Sequence, residues 1–540
     1  MRFKGLVITV SAFALYLLTL SRHYTGASIE FITEIEWGDW PTMLQRHKLL
    51  VHPAGWAFYQ LWRWLGWHDQ AVFPLQVFNA LFGAVSVGLM FALARQLTRS
   101  TKTGLLVTIG FAFSCAIWLY STEAEFVTLP LAEALIMFWL LMNVSPTIST
   151  RPAYAVVLGL WAALAFLTFS SNIFLIPVVL ANYWLMENQT WQDRLKRIAI
   201  FLSVMALTVL PVYAYVFYFV NGIRDITLLR TMQVYGGQGT GTLYGHFELK
   251  NVFYGGYALL RTLSGYPNLG LDGRTSLFLG STTALQKAAF VGYYAFVMAA
   301  FAAPLLIALL KRRQILQFGG PTLGILATWA LLCSGFAVYW VPKDLKFWFP
   351  VLAPWWLLVG MVVTLLNAER SNTKVQPAWW YKISPNWVVA SIIAVFALLN
   401  GIGIVFPHLS LKTNRPYWIA RSVTDHTTLQ DLVITTGGDK LAEYVPYFGN
   451  RETICVLDRL LRSYASKEQI LAELDREVSR VQARGGRTYL VGVRPGQDAA
   501  WDDLQKVDLR REDFAHFTTR LAWSVEDEDI LQILPPSMSH

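Results

Sequence analysis

Residues 5–20 read Gly5-Leu6-Val7-Ile8-Thr9-Val10-Ser11-Ala12-Phe13-Ala14-Leu15-Tyr16-Leu17-Leu18-Thr19-Leu20, with Arg2 and Lys4 before them. The run carries no Asp, Glu, Lys, Arg or His and is just long enough to cross a hydrocarbon core of ~30 Å if its flanks contribute. No small-x-small cleavage pattern follows closely, so it reads as a retained anchor rather than a cleaved leader. The two basic residues place the N-terminus in the cytoplasm. Apolar runs recur at 72–93, 104–119, 126–142, 153–169, 173–186, 198–220, 288–310, 322–340, 347–366 and 387–406. The expectation is a helical polytopic membrane protein of about eleven spans. Barrel strands would alternate over about ten residues instead.

Composition agrees. The chain is 55% hydrophobic and 15% charged, with mean hydropathy +0.41, whereas soluble domains carry roughly 25% charge. The net charge of +9 invites a nucleic-acid reading. That is set aside, because the basic residues gather in short loops on one side: Arg95, Arg99 and Lys102, then Arg194, Lys196 and Arg197, then Lys311 to Arg313. This is the positive-inside pattern. Cys115, Cys333 and Cys455 have no metal-site or disulfide spacing and read as small buried hydrophobes.

The opposite side carries the acids. The first outer loop reads Glu30-Phe31-Ile32-Thr33-Glu34-Ile35-Glu36-Trp37-Gly38-Asp39, then His47-Lys48-Leu49-Leu50-Val51-His52-Pro53-Ala54-Gly55-Trp56. Carboxylates among apolar neighbours at a membrane boundary suit a general base, since desolvation raises a carboxyl pKa toward the working range. Glu30, Glu34, Glu36 and Asp39 are all candidates. His52 could donate to an anion, and residues 54–67 read as a helix in the interface plane, with Pro53 at its start. Glu123 and Glu125 form a second acidic pair at the entry to the fourth span, able to orient an acceptor or hold a metal, or simply to favour a helix N-terminus. Lys343, Asp344 and Lys346 lie in a short outer turn, against the orientation bias. Cations at that depth suit a lipid phosphate, although snorkelling lysines look the same in sequence. The outer loop 221–285 supplies Arg224, Arg230, His246, Lys250, Arg261 and Arg274, a glycine-rich stretch at 236–241 that suggests a lid, and tyrosines able to stack on sugar rings.

From about Lys412 the composition shifts. Strands are expected at 431–436, 452–457, 487–493 and 529–534, and helices at 439–448 and 467–484. This is a small α/β domain with parallel strands, of about 130 residues and able to fold alone. Thr435-Thr436-Gly437-Gly438-Asp439 could cradle a phosphate or be an ordinary strand-to-helix turn.

Three of these motifs resemble a known superfamily. Ala27-Ser28-Ile29-Glu30-Phe31 with His52-Pro53-Ala54-Gly55 is similar to the first-loop pattern Asp-Ser-Gly-Glu-Phe … His-Pro-Pro-Gly of the protein O-mannosyltransferase-like branch of the GT-C glycosyltransferases. Trp118 with Ala124-Glu125-Phe126-Val127-Thr128-Leu129, and Lys346-Phe347-Trp348-Phe349-Pro350, echo two later motifs of that branch. The likeness covers about the first 365 residues. It departs where the branch's leading Asp is Ala27, in the longer gap from Glu30 to His52, and where a hinge histidine appears as Ser170-Ser171.

The resemblance implies a polyprenyl-phosphate-sugar-dependent inverting transferase working at the outer face of a cell membrane. Its partners would be the lipid-linked sugar, an acceptor protein, lipid or glycan, and the surrounding lipid. The base would be Glu30, Glu34, Glu36 or Asp39, with Glu125 beside it. The donor phosphate would sit on Lys343, Lys346, His52 and Arg230. Glu123 and Glu125 would orient the acceptor or hold a divalent cation, Mg or Mn. Residues 1–411 would form the catalytic module, with outer loops 21–71 and 221–285, and residues 412–540 a soluble extracytoplasmic domain. A transporter or flippase would want charged or broken spans at the midplane and inverted repeats. The sequence shows spans nearly free of ionisable residues. A non-catalytic receptor would leave the acidic loop unexplained.

Overall fold

The computed structural model describes residues 2–45, 47–143, 151–185, 190–222, 247–265, 283–372, 384–436, 440–456, 467–492, 509–525 and 528–535. These fall into two units: 2–21, 34–222 and 247–409 form the first, and 22–33 with 410–535 the second.

The first unit is all helical. Its helices are α1 (Arg2–Leu18), α3 (Trp40–Met43), α4 (Val51–Trp64), α5 (Val72–Thr98), α6 (Thr101–Phe113), α7 (Cys115–Thr122), α8 (Thr128–Asn143), α9 (Pro152–Thr168), α10 (Leu175–Leu185), α11 (Trp191–Tyr215), α12 (Leu249–Leu263), α13 (Ala284–Leu310), α14 (Arg312–Trp340), α15 (Leu345–Trp348), α16 (Leu352–Asn372) and α17 (Pro385–Asn400). Helix α2 (Gly26–Glu36) crosses from the second unit into the first. The protein is a multi-pass membrane protein by its helices. Six of them are long and apolar enough to span, and α6 with α7 makes a seventh as a bent pair. Four other expected spans are shorter apolar helices: Phe3–Leu18, Thr128–Asn143, Pro152–Thr168 and Ser170–Leu185.

Helix α5 is the hub, packed against α1, α6, α7 and α8. Its polar residues work at one end. Gln76 Nε2 donates to the carbonyls of Ser21 (2.6 Å) and Thr122 (3.0 Å), and Asn79 Nδ2 to those of Glu123 (2.8 Å) and Glu125. Two buried amides thus satisfy backbone groups that leave the helical pattern, as a membrane interior requires.

The third span is broken, which was not expected. It bends by 60° at Ser114. Ser114 Oγ donates to Gly110 O (2.9 Å) and accepts from Trp356 Nε1 (2.9 Å). A Cβ on Gly110 would lie 2.1 Å from the Trp356 ring, so glycine admits the indole that holds the bend. Asn400, fully buried at the end of α17, donates to Phe113 O (2.8 Å) and Leu263 O (3.0 Å) and accepts from Gly265 N (2.9 Å). It replaces the helical partners that the break removes. The expectation of spans nearly free of ionisable groups also needs correction, because Glu133 lies buried in α8. Thr168 Oγ1 donates to its Oε1 at 2.8 Å, while its other oxygen has no partner among the described residues.

The second unit contains α18 (Arg415–His426), β1 (Leu432–Thr435), α19 (Leu441–Gly449), β2 (Glu452–Cys455), α20 (Lys467–Ala483), β3 (Thr488–Val491), β4 (Thr519–Val525) and β5 (Glu528–Ile533). Strand order is β2-β1-β3-β5-β4. The first three strands are parallel, as expected, but β5 runs antiparallel to both β3 and β4. The all-parallel expectation fails because β4 and β5 form a tight hairpin, and a hairpin cannot be parallel. Helix α20 buries Ile470, Leu474, Val478 and Val481, one stripe at helical spacing, against Leu432, Ile434 and Leu490 of the sheet. Residues 22–33 join this unit through Tyr24. Its N–H donates to Tyr444 Oη (2.9 Å), and its ring stacks on Phe448 at 5.8 Å.

Asn400→Leu removes three bonds to buried backbone groups and is expected to cost about 2–4 kcal/mol. A lower thermal midpoint in detergent checks this; an unchanged midpoint would show that the bent span holds itself.

Candidate functional site

The four first-loop acids fall to different tasks. Helix α2 buries Ser28, Ile29, Phe31, Ile32 and Ile35, so Glu30 and Glu34, one turn apart, share its half-buried face. Asp39 is exposed and caps α3, accepting from Thr42 N (3.0 Å) and Thr42 Oγ1 (2.7 Å). Those two bonds hold its carboxyl below the ordinary carboxylate range. Glu36 Oε2 accepts from Ala71 N (2.9 Å) at the start of α5, where a carboxylate favours the helix dipole. Glu34 instead enters a polar cluster. Gln45 Nε2 donates to its Oε1, and its Oε2 lies 2.6 Å from His52 Nε2. Helix α2 ends just beyond, because a Cβ at Gly38 would sit 2.2 Å from Glu34 O.

His52 is fully buried in the first turn of α4. Burial lowers its pKa from the ordinary value, Glu34 opposes that, and the nearby Lys48 adds to it. Burial thus favours the neutral imidazole, whose Nε2 lies against the carboxylate. Residues 47–50 are laced to the hinge after α9: Ser170 N donates to His47 O (3.0 Å) and Leu50 N to Leu167 O (3.0 Å). The hinge serine in the place of the resemblance's histidine thus makes a backbone contact to the first loop.

Lys48 was not among the expected site residues, although it lies in the quoted loop. It is 7% exposed, and its ammonium stands 3.7 Å from the centre of the Phe126 ring. Lys346 stands 5.5 Å from the same ring. Two cations from distant segments thus converge on one aromatic face, an arrangement worth roughly 0.5–2 kcal/mol each. No periodicity or motif signals this pairing; only the fold makes it. Lys346 also lies 3.3 Å from Asp344, which caps α15. Lys343 turns elsewhere, 4.3 Å from the Tyr254 ring. Arg230 lies outside the described residues, as do Arg224, His246, Arg274, the glycines at 236–241 and Gly437 to Asp439.

Glu123 and Glu125 flank this cluster, 2% and 1% exposed, in the turn between α7 and α8. They precede α8 by several residues rather than opening it, and Asn79 holds their carbonyls. Tyr120 lies within electrostatic reach of both and of Asp344. Among the described residues no three of His, Cys, Asp and Glu come together as a metal site. The acidic pair alone falls short of a divalent cation's usual ligand set.

Beside the cations is a tight apolar slot of approximately 30 Å³. Val127, Leu131, Phe169, Trp329 and Phe349 line it, and Lys346 is its one charged residue. An apolar slot with an ammonium at its rim suits an amphiphile with an anionic head.

The buried His52 gives a test. A histidine whose pKa is lowered by folding contributes stability above its unfolded value of ~6.5 and loses it as pH falls below that. The thermal midpoint is therefore expected to drop between pH 7.5 and 5.5, and His52→Asn to flatten that slope. Equal slopes for both proteins would overturn the assignment.

Comparison with known proteins follows the same line. No family model matches the chain, and no curated protein is similar in sequence. The structure of ArnT from Cupriavidus metallidurans bound to undecaprenyl phosphate matches with TM-score 0.57 at 14% identity, over 98% of this chain and 98% of that one. Apo ArnT matches with TM-score 0.57 at 13% identity, over 98% of each chain. The Archaeoglobus fulgidus oligosaccharyltransferase tethered with an acceptor peptide gives TM-score 0.49 at 12% identity, over 91% of this chain and 69% of that one. At such identity a likeness speaks for the fold. The chain has the fold of the GT-C membrane glycosyltransferases, the superfamily its loop motifs resemble.

Proposed function

We propose that the protein is an inverting glycosyltransferase that moves a sugar from a polyprenyl-phosphate donor to an acceptor hydroxyl at the outer face of the cell membrane. The observation that carries this is the meeting of Lys48 and Lys346 at Phe126 beside an apolar slot, with Lys48 in electrostatic reach of His52 and His52 against Glu34. The shared fold with a protein solved bound to undecaprenyl phosphate supports the donor class.

In this reading Glu34 is the base. Asp39 and Glu36 are engaged as helix caps, while Glu34 keeps 12% of its side chain exposed. Neutral His52 and Gln45 aim the carboxylate. Glu34 takes the acceptor's proton, and the oxygen attacks the anomeric carbon from the face opposite the phosphate. The anomeric C–O bond breaks, and its electrons leave with the lipid phosphate. Lys48 and Lys346 stabilise that charge by charge-assisted hydrogen bonds. The isoprenoid chain leaves the phosphate along the apolar slot, which widens to take it. Glu123 and Glu125 orient the acceptor, and no step passes through a metal. Residues 1–411 act as the transfer module, and residues 412–540 as an extracytoplasmic domain that docks the acceptor. The N-terminus is cytoplasmic.

A transport reading has two observations in its favour, the bend at Ser114 and the buried Glu133. The bend is held by Asn400 and Trp356, and one oxygen of Glu133 by Thr168.

Reconstituted membranes fed labelled polyprenyl-phosphate sugar test the proposal. Glu34→Gln is expected to lower transfer by about 10²–10⁴-fold, as loss of a general base does. Glu36→Gln and Asp39→Asn should retain transfer within about tenfold, because removing a cap costs only ~1 kcal/mol. Lys48→Gln and Lys346→Gln should each lower it by at least about tenfold. Full transfer by Glu34→Gln would move the base elsewhere. Lipid-linked sugar crossing the bilayer without transfer would favour the transport reading.

A further inference from the structure

An apolar groove lies between α13, α16 and α17, along α13 from a polar corner. Its polar end lies where α12 meets α13. Tyr293 Oη donates to Ser264 O (2.7 Å) and lies 2.8 Å from Ser264 Oγ. Tyr294 Oη donates to Tyr257 Oη (3.1 Å). The Arg261 guanidinium stands 5.7 Å from the Tyr257 ring, within electrostatic reach of both Tyr293 and Tyr294. Asn400 clamps this corner, bonding Leu263 O and Gly265 N just after Arg261.

One turn further along α13 this apolar groove begins, with a volume of approximately 410 Å³. Phe296, Ala303 and Ile307 form one wall, Trp355 and Val362 of α16 another, and Val389 of α17 closes it. Tyr293, Phe296, Ala300 and Ile307 recur at helical spacing, so groove and polar end lie along one face of α13. From Tyr293 to Ile307 that face runs ~21 Å at 1.5 Å per residue. This is slightly more than the ~15 Å of one leaflet's hydrocarbon. The alanines of α13 leave the room; larger residues would fill it.

We propose that this groove holds one chain of a phosphate-headed bilayer lipid, with the phosphate on Arg261, Tyr257 and Tyr294. A guanidinium presents a planar fork that matches phosphate oxygens, and phenol hydroxyls add neutral donors. Basic pockets between membrane helices recognise anionic headgroups in this way. The donor cavity beside Lys346 is lined by α8, α14 and α15, so the two sites draw on different helices.

The test needs no sugar transfer. The full-length protein is taken from nanodiscs of phosphatidylglycerol mixed with a phosphate-free glucosyl diacylglycerol, and retained lipid is read by native mass spectrometry. Retention of phosphatidylglycerol over the glycolipid is expected. Arg261→Gln should lower it about tenfold, the loss of one charge-assisted bond, and Arg261→Lys should restore part of it. Ala303→Phe, which fills an exposed part of the groove, should lower retention with Arg261 intact. Lys346→Gln should leave it unchanged. Equal retention of the glycolipid would overturn the proposal, as would undiminished retention in Ala303→Phe, displacement by inorganic phosphate alone, or loss in Lys346→Gln.

Discussion

A carboxylate and two ammonium groups sit at one end of an apolar bundle, and none can be buried there without a partner. That requirement organises the first unit. Glu34 is met by Gln45 and His52, and Lys48 and Lys346 both stand by the Phe126 ring. Removing one partner would leave a buried charge exposed to the full desolvation cost, several kcal/mol. The helices around the cluster are therefore placed by its electrostatics as much as by apolar packing.

The same rule governs the backbone. Where the third span bends at Ser114, Asn400 bonds the freed carbonyl of Phe113, and Trp356 holds the Ser114 hydroxyl. Where the chain turns between α7 and α8, Gln76 and Asn79 of the hub helix bond the carbonyls of Thr122 and Glu123. Several serines and threonines inside this bundle bond back along their own helices, whereas the amides of Gln76, Asn79 and Asn400 hold irregular segments in place. The irregular segments carry Glu123, Glu125 and Phe126, so backbone satisfaction and site geometry are one problem.

The chemistry follows from that rigidity. In the proposed reaction, a carboxylate aimed by two fixed neighbours and cations held against a ring lose little freedom when a substrate arrives. Pre-organised charges of this kind stabilise developing charge without having to reorient. The apolar slot beside them keeps water away, which strengthens each interaction.

Much of this was legible in the residues. Long uncharged runs can only satisfy their backbone as helices in lipid, so the membrane fold was readable from composition and length. The acids of residues 30–39 stood out because they lie among apolar neighbours, and the parallel β1, β2 and β3 because their apolar runs are bounded by turn residues. The division of labour among the acids was not legible. Glu34, Glu36 and Asp39 look alike in a line, and only packing turns one toward His52, one toward Ala71 and one toward Thr42. Lys48 and Lys346 are separated by nearly the whole membrane unit and share no pattern; the meeting at Phe126 belongs to the tertiary structure. Local sequence set which segments enter the bilayer, because transfer from water is a property of each segment alone. Which charges meet was decided by the fold, because pairing depends on distance in space.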